Sequence, residues 1–121
     1  MGNVLILDDN HELIVVLREA VELAGHTVRT AQTGTQGLNL LVADFEPDVI
    51  VCDLEMPDMD GITFIERLRS EARWAQVAVI TMSGKSEADA HPREFGANAY
   101  IPKPFSLHDL IALIDRYISK P

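Results

Sequence analysis

Short apolar runs that stop at acidic or small polar residues alternate with amphipathic stretches along this chain. Val4-Leu5-Ile6-Leu7 stops at Asp8-Asp9, and Val49-Ile50-Val51-Cys52 stops at Asp53. Such runs, bounded by polar residues, fit strands buried on both faces. Thr27–Ala31 and Val77–Met82 are two further strands, the latter ended by Ser83-Gly84. Ala99-Tyr100-Ile101 is a short fifth strand before Lys103-Pro104. Between the strands the apolar period lengthens to that of a helix. Leu13, Val16, Leu17, Ala20, Leu23 and Ala24 form one such stripe, with Gly25 as its C-terminal cap. Leu38, Leu41 and Val42 follow a capping box of Thr33 and Gln36. Ile62, Ile65 and Leu68 share a third stripe. Leu110, Ile111, Leu113, Ile114, Tyr117 and Ile118 share a last one, opened by Ser106 and Asp109. One more helix belongs between Ser86 and Phe95, but Pro92 falls inside it, so that helix starts near Pro92 or is broken there.

Five alternations of strand and helix predict an α/β fold: a parallel sheet with right-handed crossovers. The 121 residues fit one domain, residues 1–121, with no repeat or linker. In such sheets the functional crevice lies beyond the carboxyl ends of the strands. Asp8 and Asp9, Asp53, Ser83 and Lys103 are the residues that fall there.

Charge narrows the classes of function. Nineteen acidic residues against ten basic ones give a formal charge of -9. That opposes a direct nucleic-acid partner, which needs a basic face, and adsorption to anionic membrane. No apolar run approaches the length of a membrane span, and no signal peptide is evident. Cys52 is the lone cysteine, so no internal disulfide forms and a cytoplasmic location is expected. Cys52 reads as an inert core residue, Asp60 as a cap or turn residue, and Asp9 or Asn10 as a cap of the first helix. Trp74 reads as packing or partly exposed surface. His11, His26, His91 and His108 show no ligand spacing and are expected at the surface.

Three carboxylates crowded at one edge repel, so a compensating cation is expected. Hard oxygen ligands suit Mg²⁺. A cation and a lysine together can hold the oxygens of a phosphoryl group in transfer, leaving one carboxylate free as nucleophile. Competing motifs fail. Val79 stands where a P-loop needs glycine, and Val15 where a zincin needs histidine. Met56 and Arg67 occupy ligand positions of a calcium loop, and no Gly-x-Gly-x-x-Gly follows the first strand.

With these residues in view, the chain is similar to the receiver domains of two-component response regulators. Asp8-Asp9, the run from Asp53 through Met56-Pro57 to Asp60-Gly61, Ser83-Gly84 and Lys103-Pro104-Phe105 carry the resemblance, which spans the chain. It implies a flavodoxin-like fold: a sheet of order 2-1-3-4-5 flanked by five helices. It implies Asp53 as phosphoacceptor and Asp8, Asp9, Asp53 and the Glu55 carbonyl around Mg²⁺. Lys103 and Ser83 would contact the phosphoryl oxygens, and Ser83 and Tyr100 would form the switch. Pro104 would follow a cis bond. A sensor histidine kinase or histidine phosphotransfer protein would donate the phosphoryl group, and water would remove it. The readout surface would be built from the fourth helix, fifth strand and fifth helix. Such a domain is a phosphoacceptor switch, not an enzyme with separate turnover. It works alone by protein contact or phosphorelay, or as the receiver part of a longer chain.

Glu55 and Lys85 lie two residues beyond Asp53 and Ser83 and carry opposite charges. They are expected to pair across the mouth of the site and to slow attack by water. One alternative is a receiver-like interaction module that works without phosphorylation, against which the intact acid set speaks. Another is a small metal-dependent phosphatase with Asp53 as nucleophile, which lacks a substrate-enclosing cap segment.

Overall fold

The computed structural model describes residues 2–43, 45–84 and 96–118. Five strands, β1 (Asn3–Leu7), β2 (Thr27–Ala31), β3 (Val49–Asp53), β4 (Ala78–Ser83) and β5 (Ala99–Pro102), form one sheet. Their order is β2-β1-β3-β4-β5, and all pairs are parallel. The described helices are α1 (His11–Leu23), α2 (Gly34–Val42), α3 (Gly61–Arg69) and α4 (Leu107–Ile118), with a 3-10 turn at Ala72–Trp74. The expected Pro92-containing helix lies outside the described residues. No described helix is long and apolar enough to cross a membrane.

The pleat explains the core. Successive side chains of a strand point to opposite faces, so each strand feeds two cores. Leu5 and Leu7 of β1 join Ile50, Cys52, Leu41, Phe64 and Leu68 under α2 and α3. Val4 and Ile6 join Val49, Val51, Ile80, Leu17, Val21, Leu110 and Ile114 under α1 and α4. Both faces of the sheet are covered, which is why the strands read as unbroken apolar runs.

The capping signals act locally. Asn10 accepts from the Leu13 amide (3.1 Å), Thr33 from Gln36 (3.1 Å), Asp60 from Thr63 (2.8 Å) and Ser106 from Asp109 (3.0 Å). Gln36 reaches back to the Gln32 amide (2.9 Å), one residue further than a capping box requires.

Several readings from the pattern are corrected: Val42 and Ile62, counted on the apolar stripes of α2 and α3, are exposed. In α1 the buried residues are Ile14, Leu17 and Val21, whereas Val16 is 48% and Leu23 89% exposed. Leu13–Leu17 is apolar on consecutive positions, so helical period alone does not choose the inward face. His26 is not a surface residue: it is 8% exposed. Its Nδ1 accepts from the Gly2 amide (3.1 Å) and its Nε2 lies 2.7 Å from Asp115 on α4. Because Nδ1 accepts, the ring proton sits on Nε2 and is donated to the carboxylate.

The far end of the sheet has its own anchor. The Arg69 guanidinium, at the end of α3, donates to the carbonyls of Gly96 (3.0 Å) and Trp74 (3.0 Å) and to Asn98 Oδ1 (3.2 Å). Asn98 in turn holds Val79 of β4 through its amide (2.8 Å) and its side-chain oxygen (2.8 Å).

Gly61 opens α3 where no larger residue fits. A Cβ there would lie 2.5 Å from the Asp53 carbonyl oxygen and 2.7 Å from Leu54 Cα. Both are backbone atoms that cannot rotate away. Gly61→Ala is therefore expected to destabilise the fold by about 1–3 kcal/mol in urea titration.

Candidate functional site

Strand register brings the acidic residues together. Leu7 pairs with Cys52, so the next residues, Asp8 and Asp53, stand side by side at the carboxyl edge of the sheet. Asp53 and Ser83 are the last residues of β3 and β4 rather than loop residues as the apolar runs suggested. Their backbones are locked by ladder-like bonds: Leu54 N–H to Met82 (3.1 Å) and Lys103 N–H to Ser83 (2.8 Å). Ser83 pairs with Pro102, Lys103 is the next residue, and a cis bond joins Lys103 to Pro104.

Asp8, Asp9 and Asp53 each present an oxygen, all within 4.8 Å of one another. Asp8 is fully buried and Asp53 nearly so, while Asp9 is exposed and opens the cluster to solvent. Lys103 Nζ donates to Asp8 Oδ2 (2.9 Å) and lies 3.6 Å from Asp53 Oδ2. The other Asp8 oxygen accepts from the Asn10 amide (2.9 Å), and Asp53 Oδ1 accepts from the Glu55 amide (3.2 Å). Ser83 Oγ donates to Glu55 Oε1 (3.4 Å). Tyr100 is half-buried in β5. Lys85 lies outside the described residues, and with it the expected pair to Glu55.

The electrostatics follow from this crowding. Burial, and next the charge of Asp8, push the Asp53 carboxyl up to about 6. The Glu55 amide and Lys103 oppose the shift, and Asp9 adds to it. Burial works against the Lys103 charge, but the Asp8 hydrogen bond and the field of Asp53 outweigh it and raise its pKa. The Cys52 thiol is pushed well above its ordinary range by burial and then by Asp53, which suits an inert core residue. Chemically, the arrangement is a pair of buried carboxylates, Asp8 and Asp53, with the Lys103 ammonium beside them and an exposed Asp9 at the mouth. Its hard oxygens at an open mouth fit a divalent cation such as Mg²⁺ that keeps some of its waters.

One contact of this region was not legible in the sequence. Asp58, in the loop between β3 and α3, reaches the first turn of α2. It accepts from the Gly34 amide (3.1 Å), the Thr35 amide (3.1 Å) and the Thr35 hydroxyl (2.6 Å). These bonds, the hydroxyl first, hold its carboxyl below the ordinary range. The contact joins residues 23 apart in sequence, so no local signal announces it.

Comparison with known proteins supplies independent findings. A family model, the response regulator receiver domain, matches residues 4–115. The DNA-binding transcriptional regulator NtrC of Escherichia coli is 36% identical over 120 residues, 98% of this chain but 25% of that protein. The KDP operon transcriptional regulatory protein KdpE of the same species is 41% identical over 114 residues, 93% of this chain and 49% of that protein. This chain thus spans a quarter to a half of these relatives' length. Among solved structures, a putative response regulator from Chloroflexus aurantiacus superposes with a TM-score of 0.90 at 26% identity, covering 98% of both chains. A Francisella response regulator receiver domain gives 0.87 at 28% identity, covering 98% of this chain and 97% of that one.

Proposed function

The chain belongs to the response regulator receiver domain family, and from that premise we propose that it accepts a phosphoryl group on Asp53 in a Mg²⁺-dependent reaction. The observation that carries this reading is the cluster itself: three carboxylates within 4.8 Å, with Lys103 bonded to one and beside another.

Asp8, Asp9, Asp53 and the Glu55 carbonyl would hold the cation. Bound there, it would neutralise charge on the phosphoryl oxygens. Asp53 attacks the phosphorus of a phosphohistidine on a sensor kinase or phosphotransfer protein. The phosphorus–nitrogen bond breaks as the phosphorus–oxygen bond to Asp53 forms. The departing histidine nitrogen keeps the electron pair, and the imidazole leaves neutral with the proton it already carries on its other ring nitrogen. The Lys103 ammonium, already 3.6 Å from Asp53, moves onto a phosphoryl oxygen, where charge-assisted hydrogen bonds are strongest. The Ser83 hydroxyl exchanges Glu55 for another phosphoryl oxygen. That movement, with Tyr100 turning inward, biases a two-state equilibrium of the β5 and α4 surface. Hydrolysis of the acyl phosphate resets it.

The test is intact mass after incubation with acetyl phosphate and Mg²⁺. The wild-type chain is expected to gain one phosphoryl group, and neither a chelated sample nor Asp53→Asn any. Absence of an adduct, together with no binding of beryllofluoride, would favour an interaction module that works without phosphorylation.

A further inference from the structure

We infer that Asp58 is a positioning residue: it latches the loop carrying Glu55 to the first turn of α2 and thereby keeps the cation site in shape. The inference rests on the proposed Mg²⁺ site and names a residue outside it.

The loop from Leu54 to Asp60 contributes the Glu55 amide to Asp53 (3.2 Å) and, in the proposed site, the Glu55 carbonyl to the cation. Its ends are fixed. Leu54 donates to Met82 (3.1 Å) and accepts from Gly61 (2.9 Å), and Asp60 caps α3 through the Thr63 amide (2.8 Å). Between these ends Met56 is buried. The polar contacts of the middle with the body of the protein include Ser83 Oγ to the Glu55 side chain (3.4 Å), which leaves the backbone free to shift, and the three bonds that tie Asp58 to Gly34 and Thr35.

Three bonds from one carboxylate, the shortest 2.6 Å, make this more than a surface cap. It is charge-assisted and bidentate, one oxygen taking the Gly34 amide and the other both groups of Thr35. The helix also gains, because two amides of the first turn of α2 are satisfied and a negative charge sits at its positive end. Close packing continues the latch: a Cβ on Gly34 would lie 2.9 Å from Met59 Sδ and 3.0 Å from Met59 Cβ. Asp58 therefore acts on the cation through the loop backbone. Outer partners of this kind orient metal ligands and tune affinity.

The experiment titrates Mg²⁺ into the full chain by calorimetry for wild type, Asp58→Ala, Thr35→Val and the double variant. Asp58→Ala is expected to raise the Mg²⁺ Kd by about tenfold, the low end of the effect of outer partners on metal affinity. Thr35→Val changes no charge and should raise Kd in the same direction. The double variant should fall short of the sum, because both changes break one contact. Faster amide exchange at Glu55 should accompany the loss of affinity. Unchanged Kd with lowered thermal stability would overturn the inference and leave Asp58 as a helix cap. A raised Kd in Asp58→Ala but not in Thr35→Val would overturn it in favour of bare charge. If the wild type binds no Mg²⁺, the proposed function itself fails and the inference falls with it. Should Asp58→Ala fail to fold, Thr35→Val still decides.

Discussion

Asp53→Asn is expected to make the metal-free chain more stable at pH 7 while ending its acceptance of phosphoryl groups. The Asp53 carboxyl titrates near pH 6 in the folded chain, against 3.8 for the unfolded one, because burial and Asp8 disfavour its charge. The folded state thus holds that proton more tightly. Stability from this group is fully present below pH 3.8 and is lost as pH rises through about 6. At pH 7 the ionised carboxylate opposes folding by about 3 kcal/mol, at 1.36 kcal/mol for each pKa unit. Asparagine has nearly the same shape, keeps an oxygen for the Glu55 amide and carries no charge. In urea titrations with chelator the variant should exceed wild type at pH 7, and the gap should close toward pH 4. Mg²⁺ should raise the stability of the wild type alone. A variant less stable than wild type at neutral pH would show that the carboxylates are not in conflict.

Lys103→Met should separate two properties that a merely structural residue would move together. Methionine keeps most of the stem and removes the ammonium. Asp8, fully buried, loses its 2.9 Å partner and keeps the Asn10 amide. Breaking a buried pair in this way costs about 3 kcal/mol. Phosphoryl uptake from acetyl phosphate should slow about 100-fold or more, as when one preorganised donor to a transition-state oxygen is removed. Mg²⁺ affinity should nevertheless rise, because the acidic cluster has lost its resident positive charge. Weaker Mg²⁺ binding together with slower uptake would assign Lys103 to packing alone.

How far the sequence could be read is clear from these residues. Both faces of the sheet are covered by helices, so β1 and β3 appear as solid apolar runs and their ends mark the site. Asp8, Asp53, Ser83 and Lys103 were legible because a parallel sheet gathers its carboxyl ends at one edge, whatever the helices do. The inward face of α1 was not, since Leu13–Leu17 offers apolar side chains in several directions. His26 was not either: its partners, Gly2 and Asp115, are distant in sequence and close only after folding. The Asp58 latch escapes for the same reason. Caps and strand ends are local facts, whereas a loop tied to another helix is a fact of tertiary structure.

The Arg69 anchor bears on where the site's lysine stands. Arg69 fixes Gly96 and Asn98, Asn98 fixes the start of β5 against Val79, and the strand then runs on to Lys103. Lys103 is thus counted off from Gly96, like a mark on a ruler whose zero lies at the opposite end of the sheet.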